Sequence, residues 1–458
     1  MGRFSLRTTW ATSVGLMAAA SHAQSALSLT DLLERVDRSY PKLQAAERQI
    51  EIAEAKAKEK RGAFDPVFSA DTGYQRYNSS SSRGKALTTE MLETVVEQVS
   101  RSGLKLIAGS RLNFGSVKSP GSSTGDLGEY YVGVKMPLLR GLGINEKSIG
   151  EQIATASVEQ SRDELRLLRL SIRLGASNVY WDWVGAVEKY TVADKLLKVA
   201  QFRAQAIAER FRQGDLPEID VVEAKTEVQR REAGLVKAQR DIEKAKLKLE
   251  LFLFERTEAI KAPELVYPAT LESDPRDTWQ TQAQTLRPDL RIIDVDRDNV
   301  RRELLLAENN RRPSLDLSVT PGFDGGQQGI GLTVKAGLFL SVPLRQNTVD
   351  GQIEQAKQKL EKLELDRNLL RRQIETEVDD AISALQRAYE RYEATKRELV
   401  LAQDLESRER LRFEAGDGTL FLLNQRERAT AETATRLIDV TTEYYQAKAA
   451  LQAAAGSL

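Results

Sequence analysis

Arg210-Phe211-Arg212-Gln213-Gly214-Asp215-Leu216-Pro217 is answered later in the chain by Arg412-Phe413-Glu414-Ala415-Gly416-Asp417-Gly418-Thr419. Both segments lie between long stretches in which apolar residues recur at helical spacing among charges. Gly214 and Gly416 suit a helix end, because glycine takes the left-handed conformation there without a Cβ clash. Pro217 stands where the next helix starts, with a fixed φ that fits that position. Thr419 can cap the equivalent helix in the second copy. One copy alone reads as an ordinary turn between antiparallel helices. Two copies at matching places in a duplicated chain read as a paired functional tip.

Outward from these tips the helices are long. Ile144 to Arg212 contains no proline, and at 1.5 Å per residue it extends for about 100 Å. A helix of that length needs neighbours along it. The return helix, Pro217 to Phe254, repeats Val221, Val228, Leu235, Ile242 and Leu249 every seven residues. That is a packing seam and carries no chemistry. The second long helix, Val349 to Glu414, has Ile353, Leu360 and Ile374 with Ala356, Leu363 and Leu370 on one seam, interrupted by Arg367. The last helix runs from Thr419 to Ala454. Near the start, residues 28–62 read as one helix, capped by Ser28 or Thr30 and stopped by Gly62 and Pro66.

The two halves follow one plan. Tyr40-Pro41-Lys42-Leu43 is answered by Arg287-Pro288-Asp289-Leu290, and Pro66 by Pro313, both 247 residues on. Residues 24–262 form a first repeat with strands within 66–137 and a tip at 210–217. Residues 263–276 form a linker with Pro263, Pro268 and Pro275. Residues 277–458 form a second repeat with strands within 313–343 and a tip at 412–419. The two shorter helices of the first half together approach the long one in length and could stack end to end beside it, giving a long tube wall rather than a globule.

Charge is dense, at 29%, aromatics are sparse, at 6%, and Lys+Arg and Asp+Glu are both 67. There is no overall basic field to attract nucleic acid. Arg3 and Arg7, an apolar run from Trp10 to Ala20, and Ser21-His22-Ala23 read as a cleavable signal over residues 1–23. There is no cysteine, so no lipid can be carried on an N-terminal one, and the only histidine is His22. The mature chain therefore lacks both imidazole and thiol, which removes the commonest general base and the commonest zinc ligands. Its carboxylates sit among Lys and Arg at helical spacing, a solvated face with no assigned acid–base pair. Catalytic residues, cofactor and metal are all expected to be none. Arg140-Gly141-Leu142-Gly143 lacks a nucleotide fingerprint and reads as a joint between strand and helix.

The strand segments alternate with a period of two. Phe68 to Gln75, Leu104 to Phe114 and Tyr130 to Met136 do so in the first half, with Met91 to Val99 a further candidate. Ser314 to Thr320 and Ile330 to Val342 follow in the second. Loops fall at Asn78 to Gly84, Ser119 to Gly128 and Gly322 to Gly329. An outer-membrane barrel alternates in the same way. Phe68, Tyr74, Tyr77, Tyr130, Tyr131, Phe323 and Phe339 could supply interfacial aromatics. Four strands cannot close such a barrel, and an open sheet edge in lipid leaves backbone groups unsatisfied. Strands placed in a membrane therefore demand several chains around one barrel.

From Leu27 to Leu451 the order and spacing of these features resemble the TolC-like outer-membrane efflux factors. The resemblance rests on the duplication, Tyr40-Pro41-Lys42-Leu43, Met136-Pro137-Leu138 and Val342-Pro343-Leu344 before the long helices, and the Arg-Phe-x-x-Gly tips. It implies a mainly α fold with membrane β: a long α-helical barrel plus a trimer-shared 12-stranded transmembrane β-barrel. It implies a homotrimer set in outer-membrane lipid and extending into the periplasm. It also implies a periplasmic adaptor (membrane fusion) protein and an inner-membrane pump as partners, with this chain the passive exit duct of a tripartite efflux or type I secretion system. Gly214, Asp215, Leu216, Pro217, Gly416, Asp417, Gly418 and Thr419 match the adaptor-contacting tips. Some members carry two aspartates beyond the second tip. Leu422 and Gln425 stand there, so a constriction from Leu420, Phe421, Leu422 or Leu423 would be apolar, with Asp220 and Glu223 supplying acidic charge after the first tip. The first strand region is long for two strands, and extra hairpin or loop structure is expected around Met91 to Val99.

Two other classes compete. An exported structural or adhesive coiled coil would use the same heptads but leaves the duplicated strand blocks without a reason. An envelope hydrolase would need a compact pocket that this helical grammar does not offer. Tyr180-Trp181-Asp182-Trp183 reads as large knobs in helix packing, or else as a place for a substrate to stack.

Overall fold

The computed structural model describes residues 26–78, 84–117, 122–256 and 260–458. The signal at 1–23, residues 79–83 of the first expected loop and residues 119–121 of the second lie outside them. Two helices open the described residues, α1 (Leu29–Ser39) and α2 (Pro41–Arg61). Ser28 caps α1, its hydroxyl accepting from the Asp31 N–H at 3.1 Å. The single helix expected over 28–62 is therefore two. Pro41 has no N–H to continue a helix and forces the preceding residue out of the helical region, so the chain bends at Tyr40, with ψ of 117°. Pro288 does the same in the second half between α5 (Arg276–Leu286) and α6 (Pro288–Asn310).

The long helices are α3 (Glu146–Arg212) and α7 (Asn347–Glu414), of 67 and 68 residues. Each is paired by shorter ones. Helix α2 and helix α4 (Glu218–Leu253) pack along α3; α6 and helix α8 (Leu420–Ala454) pack along α7; α3 in turn packs on α6 and α8. Four helical columns result. The seam of α4 meets α3, with Leu249 fully buried. Where α2 meets α3, Ala53, Ala57, Ala154 and Val158 form a small-residue cluster that lets the helices approach closely. Arg367, which interrupts the α7 seam, is satisfied by Asp294 of α6, with Nε to Oδ1 at 2.9 Å. The linker is strapped down rather than loose. Leu265 is buried in the core, and the Tyr445 hydroxyl donates to the Val266 carbonyl at 2.9 Å. No helix among the described residues is long and apolar enough to cross a membrane.

At one end of the columns the strands form one antiparallel sheet. They are β1 (Val67–Asn78), β2 (Ala86–Val99), β3 (Lys105–Gly115), β4 (Gly128–Pro137), β5 (Ser314–Gly325) and β6 (Gly331–Ser341). They pair strictly in chain order, so the sheet spans both repeats with β1 and β6 at its edges. The count of four strands per chain, which a twelve-stranded barrel shared by three chains requires, is corrected to six among the described residues. The additional pair is the hairpin expected around Met91 to Val99, now placed as β2 and β3 between β1 and β4.

Directly paired residues share a face of a sheet, so the register sorts the side chains. One row reads Ala70, Thr94, Ser110, Tyr130, Phe323, Leu332. Another on the same face reads Leu106, Val134, Val319, Ala336. This face also carries Phe68, Leu92, Val132, Leu338 and Leu340, all exposed. The opposite face is polar: its row reads Asp71, Glu93, Arg111, Glu129, Asp324. There the Glu129 carboxylate accepts from Thr333 at 2.8 Å and Lys335 at 3.0 Å and pairs with Arg111, and the Tyr131 hydroxyl donates to Glu93 at 2.6 Å. The sheet thus has an apolar exterior and a wet interior, the arrangement of a membrane barrel wall.

Candidate functional site

The two tips share one backbone solution. Helix α3 closes on Gly214 at φ +84°, with the Gly214 N–H donating to the Phe211 carbonyl at 3.0 Å and the Asp215 N–H to the Arg210 carbonyl at 3.0 Å. Helix α7 closes on Gly416 at φ +83°, with Gly416 donating to Phe413 at 3.1 Å and Asp417 to Arg412 at 2.9 Å. Both are the paired 6→1 and 5→2 bonds of a glycine-terminated helix. Pro217 precedes the first residue of α4, and Thr419 caps α8 by accepting from the Leu422 N–H at 3.3 Å. Gly214, Asp215, Pro217, Gly416, Asp417 and Thr419 are exposed, while Leu216 and Gly418 are half-buried.

The candidate constriction residues divide. Leu420 and Leu423 are 2% and 1% exposed and pack inside the helical wall, Leu420 against Ile207 and Ala224. They cannot line a tunnel mouth, because the apolar stripe of α8 is turned toward the other hairpin. Phe421 and Gln425 point to solvent, and Leu422, Asp220 and Glu223 are partly exposed. Glu223 is tied to α8, its Oε1 accepting from the Asn424 amide at 3.1 Å.

That bond belongs to a set of polar contacts joining the hairpins just above the tips, which includes ion pairs onto two buried carboxylates. Arg203 of α3 forks onto Glu427 of α8, with one Nη1 to Oε2 bond at 2.8 Å, and also reaches Asn424 at 3.2 Å. Arg428 of α8 reaches Glu227 of α4, Nε to Oε2 at 3.2 Å, and Arg231 joins the same carboxylate at 2.8 Å. Glu227 and Glu427 are both buried. The sequence reading passes over these residues, although Glu427 falls seven after Leu420 on the buried stripe and Arg231 lies three after Val228 on the α4 seam. Beside the contacts, Val199, Phe202, Ile207, Phe413 and Leu423 line an open apolar groove of about 620 Å³.

Farther up the columns, Tyr180-Trp181-Asp182-Trp183 forms a packed joint. Tyr180 and Trp183 are buried, Trp181 stacks on Tyr445 with ring centroids 4.1 Å apart, and Asp182 accepts from Gln446 at 2.8 Å. Burial pushes the Tyr180 hydroxyl up to about 12, so it stays protonated and donates to the Leu27 carbonyl at 3.0 Å. The rings are knobs in helix packing. Where sheet meets helix, the Arg101 guanidinium grips Glu151 with two 2.7 Å bonds and holds its carboxyl below the usual range.

The geometry defines a class: a long helical wall with paired tips at one end and a two-faced open sheet at the other. Residues 279–457 match the model of the outer membrane efflux protein family. Solved structures of similar fold include CusC, at 13% identity over 94% of this chain and 92% of that one, with a TM-score of 0.70. VceC from Vibrio cholerae is 16% identical over 93% and 96%, with a TM-score of 0.68. The open-state MtrE channel of Neisseria gonorrhoeae is 16% identical over 93% and 88%, with a TM-score of 0.66. No curated protein matches in sequence. The chain is TolC-like in fold throughout, and its second repeat carries the outer membrane efflux protein signature.

Proposed function

We propose that copies of this chain assemble in the bacterial outer membrane as a homotrimeric channel that extends into the periplasm. The channel is the passive exit duct of a tripartite efflux or type I secretion system. One observation carries this: a sheet with an apolar exterior, a polar interior and two unpaired edges, fused to helices of about 100 Å. Such a sheet is stable in lipid only when its edges are paired by neighbouring copies. A structural coiled coil has no use for it. The exposed tips and the apolar groove beside Phe202 and Phe413 suit a helical hairpin of a periplasmic adaptor, which links the duct to an inner-membrane pump. Driving energy comes from that pump, and the duct itself needs no catalytic residue. Purified protein in planar lipid bilayers tests this. Discrete, long-lived conductance steps are expected; a protein that inserts no pore under any condition contradicts the assignment.

A further inference from the structure

Resting on that function, we infer that the barrel made by three copies has eighteen strands rather than twelve, giving an outer-membrane exit as wide as the helical tunnel behind it. The six strands of one chain pair in an unbroken series, and β2 and β3 stand between β1 and β4. Leaving that hairpin out of the lipid would strip β1 of its partner. The hairpin also presents a lipid-compatible outer face: Leu92 and Val96 of β2 beside Leu106, Leu112 and Phe114 of β3, all but Leu112 well exposed. The two hydroxyls on that face, Thr94 and Ser110, bond each other at 2.8 Å. On the inner face Glu93 of β2 meets Tyr131 of β4, and Arg111 of β3 meets Glu129 of β4. At 14 and 11 residues the strands are long enough to cross a bilayer at a tilt.

The duplication locates the hairpin as an insertion. Matching helices before the strands, α1 with α5 and α2 with α6, start 247 residues apart, whereas α4 and α8, after them, start 202 apart. The missing stretch falls in the strand block and has the size of one hairpin with its loops. Adding two strands keeps the alternation, so β6 of one copy still meets β1 of the next antiparallel. At about 4.8 Å between strands and about 40° of tilt, eighteen strands give a backbone diameter of about 36 Å, against about 24 Å for twelve. Twelve helical columns spaced at about 10 Å enclose about 38 Å. Barrel and tunnel then match in girth. Cargo meets no narrowing in the membrane, so extended polypeptide passes as readily as small solutes, and size selection falls to the tips.

The chain contains no cysteine, which allows single-cysteine labelling in proteoliposomes with a charged, membrane-impermeant maleimide. Leu92→Cys and Leu112→Cys probe the hairpin, Glu93→Cys the lumen, and Val132→Cys and Leu338→Cys the lipid face of β4 and β6. Leu92→Cys and Leu112→Cys are expected to react at least tenfold more slowly than Glu93→Cys, as slowly as the β4 and β6 sites. If they react as fast as Glu93→Cys while Val132→Cys and Leu338→Cys stay protected, the hairpin lies outside the lipid and the eighteen-stranded barrel is overturned alone. If all five react rapidly, the membrane barrel itself falls, and the duct with it.

Discussion

Gly214 and Gly416 hold positive φ with open space where a Cβ would stand. A side chain there meets no clash, only backbone strain of about 1–2 kcal/mol. Gly214→Val and Gly416→Val should therefore leave the assembled barrel intact and impair export, read as drug susceptibility alongside the oligomer on a mild-detergent gel; unimpaired export in both would remove the tips from function. Glu427 is a different kind of residue. Replacing it by Leu leaves the half-buried Arg203 with only the neutral Asn424 amide oxygen as partner, a loss of at most about 3–5 kcal/mol, the figure for fully buried pairs. The two hairpins should loosen, and single-channel conductance should rise. Asp296 of α6 supplies a pH signature. Burial raises its pKa, against the opposing bond from Gln160. Its contribution is thus fully present below the ordinary aspartate range and lost as pH rises through the raised value. Asp296→Asn should raise the melting temperature at pH 7, with the gain vanishing in acid. At this scale the sequence is least transparent. Spacing identifies Gly214 and Gly416 as helix ends, but whether Leu420 and Leu423 face a tunnel or a neighbouring helix depends on how α8 is rotated, which only tertiary contacts decide.

Elements were more legible than residues. Proline-free helical patterns, with seven-residue seams in α4 and α7, are enough to set α3, α4, α7 and α8 close to their observed limits. Pro41 and Pro288 mark the repeat, yet their local effect, splitting each leading helix in two, is hidden inside an otherwise helical pattern. Period-two alternation finds the strands, but β2 is harder to see because Glu90 and Thr94 interrupt its outer face and Met91 and Val95 lie on its inner one. Faces and register can be tested with adjacent residues of β5. Leu317→Lys puts a charge into lipid at about 2–4 kcal/mol near the bilayer midplane. Ser318→Lys puts it into the wet interior. The first should lower the temperature at which the oligomer dissociates and the second should not; equal losses would mean the faces are misassigned.

For the whole molecule, duplication and helix length point to a long shape rather than a compact one, and the register of the sheet explains why a single copy is incomplete. One chain supplies a sheet with two open edges, and the apolar exterior that suits lipid leaves no covering layer of its own. Closure must come from other copies, each supplying a β6 edge to the next β1. The most direct measurement is the native mass of the full-length protein released from detergent micelles in a mass spectrometer. Three chains of one kind in a single particle are predicted. A particle of one chain, persisting across detergents, would contradict the shared barrel and every consequence drawn from it.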